Sequence, residues 1–504
     1  MTDLIILHEC VESNNLYQSL QLLHRTEYSE DYRIIVEYSK DIINNPEQPG
    51  EYLSLFVRLI SELDISPHFI VIQTGYEMIV RDLETLKLVY QNIDHISVTP
   101  LTVIFESSRT SMDTFCIAPW THLYFGPQGQ LAPCCVADSR YPLGQYRSGV
   151  VDFNNDQIIK IRQTFLNGLQ APQCTTCYLQ EKNNLISLRQ KLNKKFAHHI
   201  KQDMPTTVDP FKLRHIDVRL SNLCNLTCRM CSGEYSNKIA HENFKIWGST
   251  KYLQDHNSSE TDQSIFDLIK NQIDNIESVY FAGGEPLINQ THYSILKLLL
   301  DNKKTAIEII YNTNFSLLKF KQHNILDYWN KFSNITVGAS IDLIGVAANY
   351  VRTGVEYHTL EKNYQQLTTQ CPNVIFEIHS TLSFFNAINL CELQQHWIDK
   401  MKLDPKYIKF NVLVSPDYLS LTVLPDYFKQ QVHHRVKKHI QYLDTVAATK
   451  LIQDWENALV LMHSIDNSHL LSKFFKINDQ KDQHRNHKFE DNLPEYCTLR
   501  NYIV

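Results

Sequence analysis

The chain has 504 residues, 43% hydrophobic and 20% charged, with a formal net charge of -7. This length exceeds one ordinary core and suits about two to four domains, and the apolar content excludes a disordered chain. The acidic balance and the lack of a long lysine/arginine block argue against a nucleic-acid partner, and no apolar run approaches the roughly 20 residues of a membrane span.

The first residues, MTDLIILHEC, carry Asp3 and Glu9 and no basic segment, which argues against a secretory leader and for the cytoplasm. Residues 1–108 read as a small α/β domain of unassigned role. Strand-like runs lie in 71–80 and 95–107, and a helical spacing lies in 54–63. No phosphate-binding glycine pattern occurs there.

Residues 109–205 form an irregular unit. Gly126, Pro127, Gly129 and Pro133 break it into turns, and it carries Cys116, Cys134, Cys135, Cys174 and Cys177. The segment after Cys177 has a helical pattern, its Lys191–Lys195 stretch reads as a solvated face, and 201–210 reads as a linker. Residues 211–426 alternate strand and helix. Six strands are expected, within 215–220, 278–283, 307–313, 334–341, 374–382 and 407–414. Their apolar character predicts a parallel sheet with helices on both faces, and six strands fit a partial barrel better than a closed one of eight. Residues 427–504 read as amphipathic helices ending in a polar, partly exposed tail at 481–492.

Cysteine placement is uneven. Of 12 cysteines, eight fall between Cys116 and Cys231, while Cys10, Cys371, Cys391 and Cys497 stand singly. In a reducing compartment such clustering points to a metal centre and not to disulfides. The sharpest element is RLSNLCNLTCRMCSG, which places Cys224, Cys228 and Cys231 directly after a predicted strand, where α/β sheets bind ligands. Three thiolates hold three irons of a 4Fe-4S cube and leave the fourth iron open to chelation by an added ligand. Zinc is the competing reading. It needs a fourth ligand, for which His241 is the nearest candidate.

This spacing, C-x3-C-x2-C, resembles that of the radical S-adenosylmethionine superfamily. Met230 stands where the family often has an aromatic residue. FAGGEPLI, with Gly283, Gly284, Glu285 and Pro286, resembles the family's glycine–glycine–glutamate–proline motif. Its glycines allow close backbone approach to a ligand, and its glutamate suits a bound ammonium group. YNTNFS and GASIDLIG are similar to the segments closing the third and fourth strands. They imply Asn314, Ser340 and Asp342 as cofactor contacts, and Arg352 as the grip on the methionine carboxylate. His379, which shares a strand face with Thr381, reads as a packed or hydrogen-bonded residue.

The second set resembles the auxiliary-cluster modules called SPASM and twitch. Cys116, Gly129 and Cys134 fit the opening motif, Cys174 and Cys177 the paired ligands, and Glu181–Arg189 an accompanying E-x7-R segment. Further SPASM cysteines are absent, which favours twitch with one cluster. The module precedes the catalytic domain here, unlike its place in many relatives. Cys135 is either an alternative ligand to Cys134 or a free thiol, and the glycine spacing favours Cys134.

The resemblance implies a partial (β/α)6 barrel, two 4Fe-4S clusters and S-adenosylmethionine. It implies reductive cleavage to a 5′-deoxyadenosyl radical, which abstracts hydrogen from a peptide or amino-acid-derived substrate. A flavodoxin or ferredoxin would supply electrons. No histidine–carboxylate pair is needed for the first step. Epimerisation would need a hydrogen donor, for which Cys371 and Cys391 are nominal candidates. RNA or nucleotide modification, and a zinc-stabilised binding protein, are the alternatives.

Overall fold

The computed structural model describes residues 114–146, 151–182, 186–253 and 258–503, with three strands nearer the N-terminus. Those strands belong to a separate compact unit, Met1–Arg109. They are Thr2–His8 (β1), Tyr32–Tyr38 (β2) and Phe69–Gln73 (β3), and they pair in parallel in that order. The pairing aligns Ile5, Ile35 and Val71. Runs such as LIIL and RIIV favour extended backbone. The sequence reading did not single out β1 or β2. Its segments 54–63 and 95–107, and Cys10, lie outside the described residues.

The second unit, Thr110–Val504, is built on one nine-stranded sheet. Its strands are His122–Phe125 (β4), Gln130–Ala132 (β5), Gly144–Gln145 (β6), His215–Val218 (β7), Ser278–Phe281 (β8), Glu308–Thr313 (β9), Ile335–Ala339 (β10), Val374–Leu382 (β11) and Ile408–Val412 (β12). The order is β12-β11-β10-β9-β8-β7-β4-β5-β6. The six expected strands, β7 to β12, are all present, parallel, and adjacent in chain order.

The long helices are Asp156–Leu166 (α1), Thr175–Lys182 (α2), Leu188–Lys195 (α3), Asn237–Trp247 (α4), Ser258–Asn271 (α5), Gln290–Asp301 (α6), Tyr357–Gln370 (α7), Leu390–Asp399 (α8), Asp426–Thr445 (α9), Thr449–Ser464 (α10) and Leu471–Arg485 (α11). None of the described helices is long and apolar enough to cross a membrane.

One expectation is corrected. The sheet strands are not apolar on both faces. Ile216, Val218, Val279, Phe281, Ile309, Tyr311, Val337 and Ile378 form buried apolar rows. The alternate positions form a polar face, because side chains two apart along a strand point the same way. Arg219 lies over the Tyr280 ring at 5.0 Å, and His379 Nδ1 is 2.9 Å from Asn312 Oδ1. Gly338 makes the second contact possible, since a Cβ there would strike both the His379 ring and Asn312. His379 Nε2 meets Glu377 at 2.8 Å, and Glu377 meets Lys409 at 2.5 Å. His379 is hydrogen-bonded to Asn312 and Glu377 on this face.

The cysteine-rich segment is fastened to this sheet by β4, which pairs in parallel with β7 and brings His122 beside His215. The two buried rings are 4.5 Å apart, with Phe196 edge-on to His122. Lys191, Lys194 and Lys195 lie on an exposed face as expected, and Lys195 also pairs with Glu308 and meets Ser278 Oγ at 3.0 Å. Residues 201–210 carry no helix or strand and are mostly exposed, and Pro205 O accepts from the Trp120 indole at 2.6 Å.

Burial keeps several imidazoles neutral. It lowers His215 and His292 to about 3 and His439 to about 4, and it carries His122 well below its usual value. A folded-state value below the unfolded ~6.5 means stability is complete above that pH and declines as pH falls. Urea unfolding should therefore show stability dropping from pH 7 to 5, by up to about 1.4 kcal/mol per pH unit for each such histidine. A His215→Phe variant should show a shallower drop, and equal slopes would contradict the neutral-imidazole account.

Candidate functional site

A cavity of about 900 Å³ opens at the C-terminal ends of the parallel strands, and Cys224, Cys228 and Cys231 all line it. Their loop leaves β7 and is held at both ends. Thr227–Cys228 pairs antiparallel with Arg352–Thr353, and the Arg229 amide donates to Val351 O at 2.8 Å. The Cys224 amide donates to Asn237 Oδ1 at 3.2 Å.

Burial pushes the Cys224 and Cys231 thiols up to about 12. Burial also raises Cys228, but there the Arg352 guanidinium, 3.7 Å away, favours the thiolate. Loading a metal centre would therefore expel protons.

The three sulfurs are not gathered as one small ion requires. Among the described residues, one group of three His, Cys, Asp or Glu ligand atoms lies within 4.8 Å of one another, and it is His198, His199 and Glu277. Tetrahedral zinc, with bonds of about 2.3 Å, holds its thiolates roughly 3.8 Å apart. His241, the candidate fourth zinc ligand, is exposed on α4.

Gly283 and Gly284 line the cavity, and Gly283 has φ +108°. At Gly284 the protein itself comes close, since a Cβ there would fall on the Leu223 carbonyl. Glu285 is 3% exposed, and its carboxylate accepts from Thr313 Oγ1 at 2.6 Å, the Asn314 amide at 2.7 Å and the Leu287 amide at 3.1 Å. It clasps the GGEP turn to the end of β9. Burial, offset by these donors, leaves its pKa at about 7. Asn314 lines the cavity and donates to Asn225 Oδ1 at 2.8 Å, tying the strand end to the cysteine loop.

Ser340 and Arg352 also line the cavity, and Asp342 stands behind them. Asp342 Oδ2 accepts from Arg352 Nε at 2.7 Å, and Oδ1 from the Thr381 amide at 2.7 Å. Asp342 thus orients Arg352. Cys371 and Cys391 are buried among helices, and neither borders the cavity.

The sequence reading missed the C-terminal contribution. Lys481 and Asp482, in the tail expected to be partly exposed, are 5% and 6% exposed. Arg229, between the second and third cysteines, is 2% exposed. It pairs with Asp482, donates to Asn478 Oδ1 at 3.1 Å and lies 3.6 Å over the Tyr350 ring. Arg485 grips Glu242 at 2.7 and 2.6 Å. Asn478, Lys481, Asp482 and Arg485 follow i, i+3, i+4, i+7 spacing, so a polar stripe along α11 was the available signal.

The second set gathers around the β4–β5 hairpin. Cys116 and Cys177 are buried, and Cys134 and Cys174 are partly so. The charge of Cys116 acts on Cys134 and Cys174, and that of Cys177 on Cys116 and Cys174. Burial pushes Cys116 up to about 12 and Cys134 well above its usual value. Glu181 and Arg189 form an ion pair, and Arg189 also donates to Phe115 O at 2.7 Å, pinning the residue before Cys116. Cys135 turns the other way. It lines the cavity, beside Asp217 and Arg219. Solvent in the cavity reaches it, although protein surrounds it on most sides.

No family model matches the sequence, and no curated protein matches it. Among solved structures, the chain is similar to native anSMEcpe with bound AdoMet and Cp18Cys peptide. The identity is 17% over 46% of this chain and 61% of that one, with a TM-score of 0.33. It is similar to Streptococcus suis SuiB bound to S-adenosylmethionine, at 15% identity over 60% and 65%, TM-score 0.28. It is also similar to TYW1 with a lysine-pyruvate adduct bound, at 13% over 46% and 71%, TM-score 0.24. The chain thus spans about three fifths of the first of these.

Proposed function

We propose that this chain is a radical S-adenosylmethionine enzyme acting on a peptide or an amino-acid-derived substrate. The carrying observation is one cavity, at the C-terminal ends of parallel strands, lined by Cys224, Cys228, Cys231, Gly283, Gly284 and Arg352. In this reading strands β7 to β12 form a partial (β/α)6 barrel over 211–426. Residues 109–205 form the auxiliary module, 427–504 a helical cover, and 1–108 a domain without an assigned task.

The donor sets fit the groups. Cys224, Cys228 and Cys231 would hold a 4Fe-4S cluster with one open iron, and Cys116, Cys134, Cys174 and Cys177 a second, closed one. When bound, the first cluster and S-adenosylmethionine supply a radical that removes hydrogen from a substrate C–H bond. The chain's own residues do the rest. Ser340, Asn314 and the Gly283–Gly284 backbone offer hydrogen-bonding groups to the cofactor. Arg352, oriented by Asp342, presents a guanidinium to a carboxylate. The cavity walls set which C–H bond lies near the reactive carbon. A reduced flavodoxin or ferredoxin would supply electrons, consistent with a cytoplasmic enzyme.

Iron and sulfide analysis after anaerobic reconstitution tests this reading. About eight irons per chain are expected, two clusters of four. Cys134→Ala should lose about half of that iron, whereas Cys135→Ala should keep it. Zinc without sulfide would defeat the reading, and iron loss in Cys135→Ala alone would exchange the two cysteines' roles.

A further inference from the structure

Three guanidiniums border the cavity, and each has its own aspartate. Arg219 lies 2.9 Å from Asp217, Arg352 lies 2.7 Å from Asp342, and Arg229 is paired with Asp482. The fourth bordering cation, Lys481, has no carboxylate at ion-pair distance among the described residues. Glu242 is the acidic side chain whose charge acts on it, but both Glu242 oxygens are held by Arg485.

The Lys481 ammonium has one long contact, 3.4 Å to Arg229 O, and lies 5.9 Å over the Trp247 ring. It is 5% exposed. An ammonium has three donors, and removing it from water without an anionic partner is costly. Burial, with the like charges of Arg485 and Arg229, lowers its pKa to about 8. Helix α11 holds the lysine in place, because its neighbours Asn478 and Asp482 are fastened to Arg229 and Arg485 to Glu242. The charge of Cys231 also acts on it from the same cavity wall.

Resting on the reading of this cavity as the cofactor site, we propose that Lys481 binds a carboxylate of a molecule held there. An ammonium on the wall of this cavity, without a carboxylate of its own among the described residues, offers a place for a negative charge in addition to the guanidinium of Arg352. That carboxylate has two possible sources, the methionine portion of S-adenosylmethionine or the substrate.

The test uses cluster-loaded full-length protein, as wild type, Lys481→Met and Lys481→Arg, titrated anaerobically by calorimetry. The probes are S-adenosylmethionine and 5′-methylthioadenosine, which lacks the carboxylate. N-acetylglycine and its neutral amide are then titrated onto the S-adenosylmethionine-loaded protein. A tenfold or greater loss of S-adenosylmethionine affinity in Lys481→Met supports the proposal with the cofactor as source, provided 5′-methylthioadenosine binding is unchanged and Lys481→Arg stays near wild type. Unchanged cofactor binding, with N-acetylglycine but not its amide binding wild type and lost in Lys481→Met, supports it with the substrate as source. Affinities within twofold for every probe overturn it, as does equal loss of both adenosine ligands. A changed cluster reduction potential with all binding intact also overturns it, assigning the lysine to the thiolates instead. A wild type that binds no S-adenosylmethionine would sink the cavity reading itself.

Discussion

On the proposed function, replacing Cys228 by alanine should abolish S-adenosylmethionine cleavage and remove about four irons per chain, leaving the auxiliary set filled. The cysteine sits at the one point of the loop that is paired to another strand, opposite Arg352, and its sulfur is the one that meets the Arg352 guanidinium. Two remaining thiols cannot hold the cube with a single iron left open. Anaerobic assay of 5′-deoxyadenosine, with iron counted in the same sample, gives the result. Formation at the wild-type rate would contradict the assignment of this trio. Because Cys228 is buried at the loop's centre, circular dichroism should accompany the assay, and the near-isosteric Cys228→Ser variant should give the same loss of cleavage.

Replacing Asp482 by alanine should lower stability by about 3–5 kcal/mol, the usual cost of leaving one member of a buried ion pair alone. The Arg229 side chain is fully buried and that of Asp482 is 9% exposed, so water cannot replace the carboxylate. Tyr350 would lose a partner as well, since its hydroxyl donates to Asp482 at 3.1 Å. Arg229 lies between Cys228 and Met230, so the uncompensated charge falls on the cysteine loop itself. Cluster retention should therefore fall along with the urea midpoint. Asp482→Asn, which keeps an acceptor for the guanidinium, should lose less. A change below about 1 kcal/mol in Asp482→Ala would place the pair outside the support of the loop.

The sheet and the cysteine clusters were legible in the sequence for local reasons. Strands such as IEIIYNT and VIFEIHSTL announce themselves by composition, and C-x3-C-x2-C is a contiguous signal. Three features were not local. The polar face of the sheet was hidden because Asp217, Arg219, Asn312 and His379 were read within apolar runs, although they alternate with buried residues. The protein partners of Glu285 were hidden because two of its three hydrogen-bond donors, Thr313 and Asn314, lie almost thirty residues away. The role of α11 depended on a pairing across 253 residues, Arg229 with Asp482, which no window along the chain contains.

Cys134 and Cys135 show how far spacing reaches. The glycine offset selected Cys134 for the four-cysteine set. Nothing in the spacing said that its neighbour would then point into the cavity, because that follows from β4 being docked on β7.

The proposed open coordination position on a three-cysteine centre is tested most directly by magnetic resonance of the reduced protein with S-adenosylmethionine labelled with ¹⁵N at its amino group. Hyperfine coupling between that nitrogen and the cluster, absent in Cys228→Ala, is the expected result. A reduced, iron-loaded protein that binds the labelled molecule without any such coupling would contradict it.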